Sequence, residues 1–399
     1  MLKVIELFGG IGACSKALEN LGVEFEISDY VEIDKYAVKS FNAVHGTNFE
    51  PQDITKWDKD IECDLIMHGS PCQDFSIAGR QAGGDEGSGT RSSLMYETLR
   101  IVEKLKPKYV VWENVKNIIS KKHIHNWEAY CDRMNELGYC NWCKVMNAKD
   151  YGIPQNRERV FTISIRKDVS DKEFLFPEPV PLERRLKDML ENTVDEKYYI
   201  SSAMMNYFMG VNQKPSKFPR KERFLANINR KDQDRANSVT TNPGNRPTDN
   251  FIKEPFVVAS RGRGENNEQH LEPRFDGTTN TLTSVQKDNY VCAVLPGAYG
   301  REFGSKGKIQ DLDKETSTLQ AAMGEGGGNV PLVAPTYRIR KLTPKECWRL
   351  MGFDDSDFEK AEKVNSNTQL YKQAGNSIVV NVLQSILGKL LEGSSSYGK

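Results

Sequence analysis

Short apolar runs alternate with helical repeats along the first part of the chain, up to about residue 165. The strand-like runs are Lys3–Leu7, Glu24–Ser28, Leu65–Gly69, Tyr109–Trp112 and Val160–Ile165. Helical patterns separate them, at Ser15–Leu21, at Lys35–Val44, before Leu105 and at Trp127–Leu137. Strands that alternate with helices form βαβ units. The pattern therefore predicts a mostly parallel sheet with helices on both faces.

The amino-acid composition of the chain changes at about residue 175. Proline, glycine, asparagine and threonine become more frequent, and a weak repeat runs through Ser238–Thr241, Thr281–Ser284 and Thr318–Ala321. We interpret this part as a smaller, irregular β-rich domain. After residue 365 an apolar stripe at helical spacing returns, from Val379 to Leu390. We expect one domain from residues 1–185, completed by 366–399, and a second from 186–365.

Bulk composition narrows the class of protein. The 399 residues suit two or three domains. The 55 basic and 55 acidic residues give no net charge. Nucleic acid remains possible as a partner, because its binding depends on the local charge of a surface. A basic cluster, Lys214–Arg223, gives weak support for phosphate contact. Cys140 and Cys143 form one isolated C-x-x-C without a second pair, and the histidines show no ligand spacing, so we expect no metal site. With no apolar run long enough for a bilayer and no room for a signal peptide, we expect a reduced, cytoplasmic setting.

A cysteine and a glutamate follow two of the predicted strands. Cys72 comes after Leu65–Gly69, and Glu113 comes directly after Tyr109–Trp112. Chemistry in an open α/β sheet collects at the carboxyl edges of the strands. A thiolate can add to an electron-poor ring carbon, and a carboxyl group can act as the general acid. Taken singly, Cys72 could equally be a small buried hydrophobe and Glu113 a helix cap.

Three further segments contain candidate binding groups. The glycine-rich turn Phe8–Gly12 follows the first strand and allows either close approach to a ligand or simply a tight βα loop. Glu32 could hold ribose hydroxyls, and Asp53 an adenine amino group. Within Gln155–Arg159, two arginines at i and i+2 could hold a carbonyl and a phosphate together, or form a surface ion pair with Glu158.

Taken together and in this order, these segments resemble the motifs of the DNA cytosine-5 methyltransferase family, in its bacterial or phage form. The matching segments are Phe8–Gly12, Gly69–Gln73, Glu113–Val115, Gln155–Arg159, Arg338–Pro344 with Glu346–Cys347, and Gln373–Ser377. Six motifs in register are far more specific than one. The chain departs from the family at Glu6, where aspartate is usual, and at Ala78, where some relatives have a serine that helps to fill the vacated base position.

The resemblance implies a doubly wound, Rossmann-like α/β sheet that binds S-adenosylmethionine, with a smaller β-rich target-recognition domain. It implies an enzyme that methylates carbon 5 of a flipped cytosine through a covalent Cys72 adduct, without a metal. Glu113 would hydrogen-bond the ring, Arg159 the base carbonyl and Arg157 a flanking phosphate. The implied donor-binding residues are Phe8, Gly10, Gly12, Glu32, Asp53, Ile54, Pro71, Asn376 and Ser377.

The resemblance also implies double-stranded DNA as the partner. The candidate DNA contacts are Gln73, Ser76, Arg261, Arg263 and Thr318. We expect a monomer, with a restriction endonuclease as a possible separate partner and a role in restriction-modification or phage self-protection. Transfer RNA methylation by the same fold is the main alternative. A nicotinamide-dependent dehydrogenase that uses the glycine turn is a second alternative, although it would leave Cys72 and Glu113 unexplained.

Overall fold

A computed structural model describes most of the chain and divides it into two compact units. The described residues are 1–71, 91–170, 172–199, 220–228, 234–254, 256–263, 268–274, 289–292 and 338–392. Unit 1 comprises Met1–Glu191, Arg230–Asn250 and Leu342–Lys399, and unit 2 comprises Asn192–Asn229 and Phe251–Lys341. The predicted residues Cys72, Gln73, Ser76 and Thr318 lie outside the described part.

The described elements follow one another along the chain as follows. The strands are β1 Leu2–Leu7, β2 Phe25–Val31, β3 Leu65–His68, β4 Tyr109–Val115, β5 Tyr139–Asn147, β6 Gln155–Asn156, β7 Glu158–Arg166, β8 Ala236–Asn237, β9 Phe251–Glu254, β10 Phe256–Arg263, β11 Glu268–Arg274, β12 Asn289–Cys292 and β13 Arg338–Lys341. The helices are α1 Ala13–Leu21, α2 Lys35–His45, α3 Met95–Leu105, α4 Ile124–Glu136, α5 Arg220–Ile228, α6 Pro344–Arg349, α7 Asp355–Glu362, α8 Asn367–Asn376 and α9 Val380–Leu391.

The central sheet of unit 1 is mixed, with strand order β2-β1-β3-β4-β7-β5. Its first four strands are parallel, as predicted, whereas β7 is antiparallel to both β4 and β5. The sequence pattern missed β5, whose alternation is weak because most of its residues are only partly buried. A strand joined to the next by a short connection pairs with it in the antiparallel sense, which explains the reversed strand.

Several strands of the sheet extend beyond their predicted bounds, β2 and β4 by three residues each at the C-terminal end. β2 continues to Val31, and β4 continues through Glu113 and Asn114 to Val115. Glu113 therefore lies within a strand instead of after it, and it pairs with Phe161 of β7. The apolar run alone could not show this extension, because polar residues end the run while the backbone ladder continues.

The C-terminal helix completes unit 1, as its apolar stripe predicted. α9 packs against α1 and buries Val380, Val382, Leu383, Ile386, Leu387 and Leu390. Contrary to the sequence expectation, one described stretch, Asn367–Leu391, is long and apolar enough to cross a membrane. This stretch comprises the two helices α8 and α9, and 56% of its most apolar window is buried, as in the core helices of folded domains.

The contacts divide the chain at bounds that differ from the expected ones. Residues 342–365 belong to unit 1, because α6 and α7 pack with α8 around the buried Trp348, whose indole N–H donates to the Leu370 carbonyl at 3.1 Å. Residues 230–250 also belong to unit 1, since β8 pairs with β6.

Unit 2 contains antiparallel strands. In it, β10 pairs with both β11 and β12, and β9 pairs with β13. The aromatic rings of Phe224 on α5 and Phe251 on β9 pack edge to face at 5.3 Å. Arg261 and Arg263 lie on β10.

Candidate active site

The strand order reverses direction at β1, with β2 on one side and β3 on the other. In an open α/β sheet, such a reversal opens a crevice at the carboxyl edge where ligands bind. The turn that follows β1 lies at this edge. Its backbone has positive φ at Phe8, Gly10 and Gly12, with values of 54°, 56° and 81°. A non-glycine residue with positive φ is uncommon, which marks Phe8 as constrained.

Neighbouring rings leave no room for side chains at two positions of this turn. A Cβ atom at Gly9 would lie 2.6 Å from the ring of Tyr30. A Cβ atom at Gly12 would clash with the His45 ring and would lie 2.8 Å from Phe41. The Tyr30 hydroxyl donates to the Gly10 carbonyl at 2.7 Å and fixes the turn further. The glycines therefore allow the backbone to pack tightly between β1 and α2.

Glu32 faces this turn from the end of β2. Its carboxylate accepts the Gly10 amide at 3.2 Å and the Asp34 amide at 2.8 Å. Burial raises the pKa of Glu32, while these two amides oppose that shift. Each carboxylate oxygen keeps a second lone pair, so Glu32 can still accept hydroxyl donors from a ligand. Ile33 beside it is an apolar side chain that is 69% exposed, a feature that the sequence analysis overlooked.

Asp53 and Ile54 lie next to Glu32, because the Gln52 amide donates to the Glu32 carbonyl at 2.8 Å. Asp53 caps a short 3-10 turn, Ile54–Lys56, and its Oδ1 accepts both the hydroxyl and the amide of Thr55. The Thr55 hydroxyl is the main cause that lowers the pKa of Asp53. The Ile54 side chain is buried in the core, so the loop is anchored.

The segment with Asn376 and Ser377 reaches the same part of unit 1 from the C-terminal region. On α8, Gln373 donates to the Tyr36 carbonyl and accepts the Ser40 hydroxyl, both at 2.9 Å. Lys372 forms an ion pair with Asp34 at 2.6 Å. These contacts dock α8 onto α2, next to the Glu32 segment. Asn376 is exposed at the end of α8, and Ser377 is buried.

Glu113 is buried and forms an ion pair with the half-buried Arg159 of the neighbouring strand β7. Its Oε1 lies 3.0 Å from Arg159 Nε. The register pairs Val115 with Arg159 and Glu113 with Phe161, so Glu113 and Arg159 are diagonal neighbours on one face of the sheet. Burial raises the pKa of Glu113, while the guanidinium groups of Arg159 and Arg157 oppose that shift. The structure thus brings together a carboxyl group with a raised pKa and a fork-shaped hydrogen-bond donor.

The end of β3 lies beside this pair. A Cβ atom at Gly69 would lie 3.7 Å from Glu113 Oε2 and 3.4 Å from Ile378. The next residue, Ser70, accepts the indole N–H of Trp112 at 3.0 Å. Pro71 follows and immediately precedes Cys72 in sequence. The chain that leads to the predicted nucleophile therefore passes directly in front of Glu113.

Arg157 differs from its expected arrangement. The side chain is 4% exposed and donates to the carbonyls of Val239, Gly375 and Ser377 at 3.3, 3.1 and 2.8 Å. The short break between β6 and β7 turns it away from the direction of Arg159. Sequence spacing assumed one continuous extended backbone, and so it predicted parallel side chains. Its observed contacts join three distant segments of unit 1.

The comparisons with known proteins identify the family of this chain. The family model for C-5 cytosine-specific DNA methylase matches residues 2–392. The chain belongs to the C-5 cytosine-specific DNA methylase family. It is 34% identical to the orphan methyltransferase M.SPRI of Bacillus phage SPR, over 98% of this chain and 97% of the relative. It is 33% identical to the type II methyltransferase M.HhaI of Haemophilus parahaemolyticus, over 96% and 93% of the two chains.

Solved structures show the same fold. The S. pombe Dnmt2 methyltransferase aligns with a TM-score of 0.58 at 17% identity, covering 98% of this methyltransferase and 99% of that chain. A Spodoptera frugiperda DNMT2 mutant aligns with a TM-score of 0.61 at 19% identity, covering 98% and 100%. The expected α/β methyltransferase fold and the family are therefore confirmed. The nicotinamide-dependent alternative is excluded by the family.

Several supporting residues of this methyltransferase escaped the sequence analysis. Buried Glu6 accepts the Ser15 amide at 2.9 Å and also its hydroxyl, which caps α1 where Gly12 offers no side chain. His68 is fully buried and stacks on Trp112 at 5.6 Å. Burial lowers the pKa of His68 to about 3, which makes it a neutral core residue. Such contacts depend on tertiary packing. In the sequence, only Glu6, which stands where the family usually has aspartate, gave a sign of one of them.

Among the residues that the structure describes, no group of three or more histidine, cysteine, aspartate or glutamate side chains could hold a metal ion. The roles of the individual site residues stay predictions.

Proposed function

We propose that this methyltransferase transfers a methyl group from S-adenosylmethionine to carbon 5 of a flipped cytosine in duplex DNA, through a covalent Cys72 adduct. The observation that carries this proposal is the ion pair of buried Glu113 and half-buried Arg159, 3.0 Å apart, beside the strand that leads to Cys72. A carboxyl group and a guanidinium on one face suit the nitrogen edge and the carbonyl of one planar base.

The donor site proposed for S-adenosylmethionine suits the residues present. The tight Phe8–Gly12 turn allows close backbone approach, and Glu32 keeps lone pairs for ribose hydroxyls. The exposed apolar Ile33 offers a surface for the adenine ring, and Asp53 an acceptor for its amino group. Gly10, Gly12, Ile54, Pro71, Asn376 and Ser377 complete the proposed donor set. The bound donor would supply an electrophilic methyl group at the edge of the cytosine ring.

The protein residues would activate a base that is a poor carbon nucleophile. Enzymes of this class act on a base that has been extruded from the helix. The Cys72 thiolate adds to carbon 6, and Glu113 donates a hydrogen bond to ring nitrogen 3, which makes carbon 5 nucleophilic. Arg159 holds the base carbonyl. After methylation, the carbon 5 proton leaves to a base, and the Cys72 sulfur departs as thiolate.

Arg157 supports this site through the backbone. Its three carbonyl contacts join residues 239, 375 and 377 and place its positive charge near Glu113. We assign it to positioning the pocket, in place of the phosphate contact that the sequence suggested.

We assign sequence recognition to unit 2. The candidate DNA contacts are Arg261, Arg263 and Thr318, with Gln73 and Ser76 near the target base.

A second proposed DNA-contact surface belongs to unit 1. It is the loop Thr240–Asn250, called the Asp249 loop. One oxygen of buried Asp249 accepts the amides of Gly244, Asn245 and Arg246 at 2.9–3.0 Å. This arrangement fixes the loop and leaves Arg246 exposed. Because the loop packs against Gly375, we propose that it contacts the DNA backbone near the target.

The named relatives favour a particular biological setting. Orphan methyltransferases of Bacillus phages and type II methyltransferases are among them. We therefore propose a role in phage self-protection or in a restriction-modification system, with any endonuclease acting separately. A cytoplasmic monomer agrees with this role.

The test is a trapping experiment with a duplex that contains 5-fluorocytosine in place of cytosine. Fluorine cannot leave as the proton does, so a covalent complex of protein and DNA should accumulate in the presence of the donor. The Cys72→Ala variant should bind DNA and donor but form no complex and transfer no methyl group. Turnover by the pure variant would overturn the role of Cys72. Trapping on single-stranded RNA but not on duplex DNA would favour the RNA alternative.

A further inference from the structure

The segment Gln52–Trp57, called the donor loop, is held from two sides. On the β2 side, buried Asp29 accepts the Trp57 indole N–H at 2.6 Å and the Gln52 side-chain amide at 2.9 Å. The Lys59 ammonium lies 2.8 Å from the same carboxylate. These contacts hold the two ends of the loop through its side chains.

Arg100 on α3 holds the backbone of the loop from the other side. Its Nη1 donates to the Trp57 carbonyl at 2.9 Å, and its Nη2 donates to the Ile54 carbonyl at 3.0 Å. Its Nε donates to Glu97, one turn earlier on α3, at 2.8 Å. All three nitrogens of the planar fork are therefore engaged in one fixed geometry.

Ile54 is the first residue of the short 3-10 turn that Asp53 caps, and Trp57 is the residue that follows the turn. The Ile54 carbonyl also accepts the Trp57 amide at 3.2 Å, so Arg100 joins the two residues that this backbone bond already brings together. Asp53 holds the start of the turn through Thr55, and Arg100 holds the carbonyls of its first residue and its C-cap. The position of the Asp53 carboxylate therefore depends on a residue that the ligand would not touch.

We propose that Arg100 is a positioning residue of the methyl-donor site. By holding the carbonyls of Ile54 and Trp57, it keeps the donor loop in the shape that presents Asp53 to the donor. The proposal rests on the donor site proposed above.

The loop would remain attached without Arg100, because Asp29 still holds Gln52 and Trp57, and Ile54 is buried. The Arg100 side chain is also 41% exposed, so solvent screens its charge. Removing its fork should therefore loosen the turn without unfolding the domain. The effect should appear in donor affinity more than in the rate at saturating donor.

The experiment measures binding of S-adenosylhomocysteine, the demethylated donor, to the full-length protein by calorimetry. Arg100→Met should raise its Kd about tenfold, and the KM for S-adenosylmethionine by a similar factor. We expect kcat at saturating donor to stay within about twofold, and the Kd for duplex DNA to stay unchanged. Arg100→Lys keeps the charge but not the fork, so its donor Kd should lie between the two.

Lys104→Met is the matched control. Lys104 lies one turn further along α3 and contacts Asp58, just outside the donor loop. We expect donor binding by this variant to equal that of the wild type.

Asp53→Ala distinguishes the proposed donor site from the proposed role of Arg100. If this variant leaves the donor Kd unchanged, the donor site itself is wrong.

A weaker donor affinity in Asp53→Ala with a wild-type value in folded Arg100→Met would overturn the role of Arg100 alone. If Arg100→Met does not fold, Arg100→Lys decides, since a donor Kd equal to that of the wild type would contradict the need for the two-carbonyl fork.

Discussion

At the residue scale, the chemistry of the site depends on two opposing influences on Glu113. Burial raises its pKa, while Arg159 at 3.0 Å favours its charged form. The resemblance of the motifs implied that Glu113 and the arginine pair belong to one site. It could not predict that Arg157 turns to backbone carbonyls, since Val239 and Gly375 come from distant parts of the chain. Nor could it show that Glu6 caps α1.

Replacing Glu113 by glutamine should keep the shape of the side chain and remove the acid. We expect kcat/KM for methyl transfer to fall by about 100-fold or more, as for a general acid. Circular dichroism and DNA binding serve as controls for folding. A rate within a few fold of the wild type would instead make Glu113 a structural residue.

The pH dependence of the rate should reveal the raised pKa of Glu113. A raised pKa extends the protonated, hydrogen-bond-donating form to higher pH, so activity is full below that pKa and falls as pH rises through it. Formation of the Cys72 thiolate should contribute a limb of the opposite sign, on which the rate rises with pH. The kcat/KM profile of Glu113→Gln should lose the alkaline decline. Retention of the same decline would assign it to another group.

At the element scale, elements with regular apolar periodicity were predicted correctly, whereas features that depend on tertiary contacts were missed. The parallel strands β1 to β4 and the amphipathic α9 follow from apolar periodicity, which is local in sequence. The strand β5 was missed because its residues are only partly buried, and the length of β4 was underestimated because polar Glu113 and Asn114 continue the ladder. The glycine turn was found by composition, but its cause is the packing of Tyr30, Phe41 and His45 around it.

The two glycines of this turn offer a matched pair of substitutions. Both have positive φ, so alanine should cost each about 1–2 kcal/mol of backbone strain. A Cβ atom at Gly10 meets nothing within 4 Å, whereas one at Gly12 meets His45 and Phe41. Gly12→Ala should therefore lower the free energy of unfolding by about 1–3 kcal/mol more than Gly10→Ala. Denaturant titration measures the difference, and equal losses would contradict the packing argument.

The Asp249 loop can be tested through its exposed arginine. If Arg246 contacts a phosphate, Arg246→Gln should weaken DNA binding on all sequences and reduce the slope of log K against log salt by about one. Donor binding should not change. An unaltered slope would place the loop away from the DNA.

At the scale of the whole molecule, the chain leaves unit 1 after Glu191 and after Asn250, and returns at Arg230 and at Leu342. The predicted catalytic and donor residues that are described lie in unit 1, whereas Arg261 and Arg263 lie in unit 2. The composition of the sequence predicted that a distinct domain interrupts the catalytic one. Composition cannot show that residues 234–250 return to unit 1. That return depends on contacts such as Gln155 with the Val239 amide, at 2.9 Å.

The division into units sharpens the test of where the target sequence is read. Loops and edges on a stable scaffold usually determine specificity, and base contacts discriminate while phosphate contacts add affinity. Exchanging residues 251–341 for those of a relative with another target should therefore transfer the methylated sequence, with donor affinity unchanged. The Asp249 loop stays in place in this chimera, so its contribution is held constant. Sequencing the methylated sites gives the result. An active chimera that still methylates the original sequence would place recognition in unit 1, and the Asp249 loop would then be the first segment to exchange.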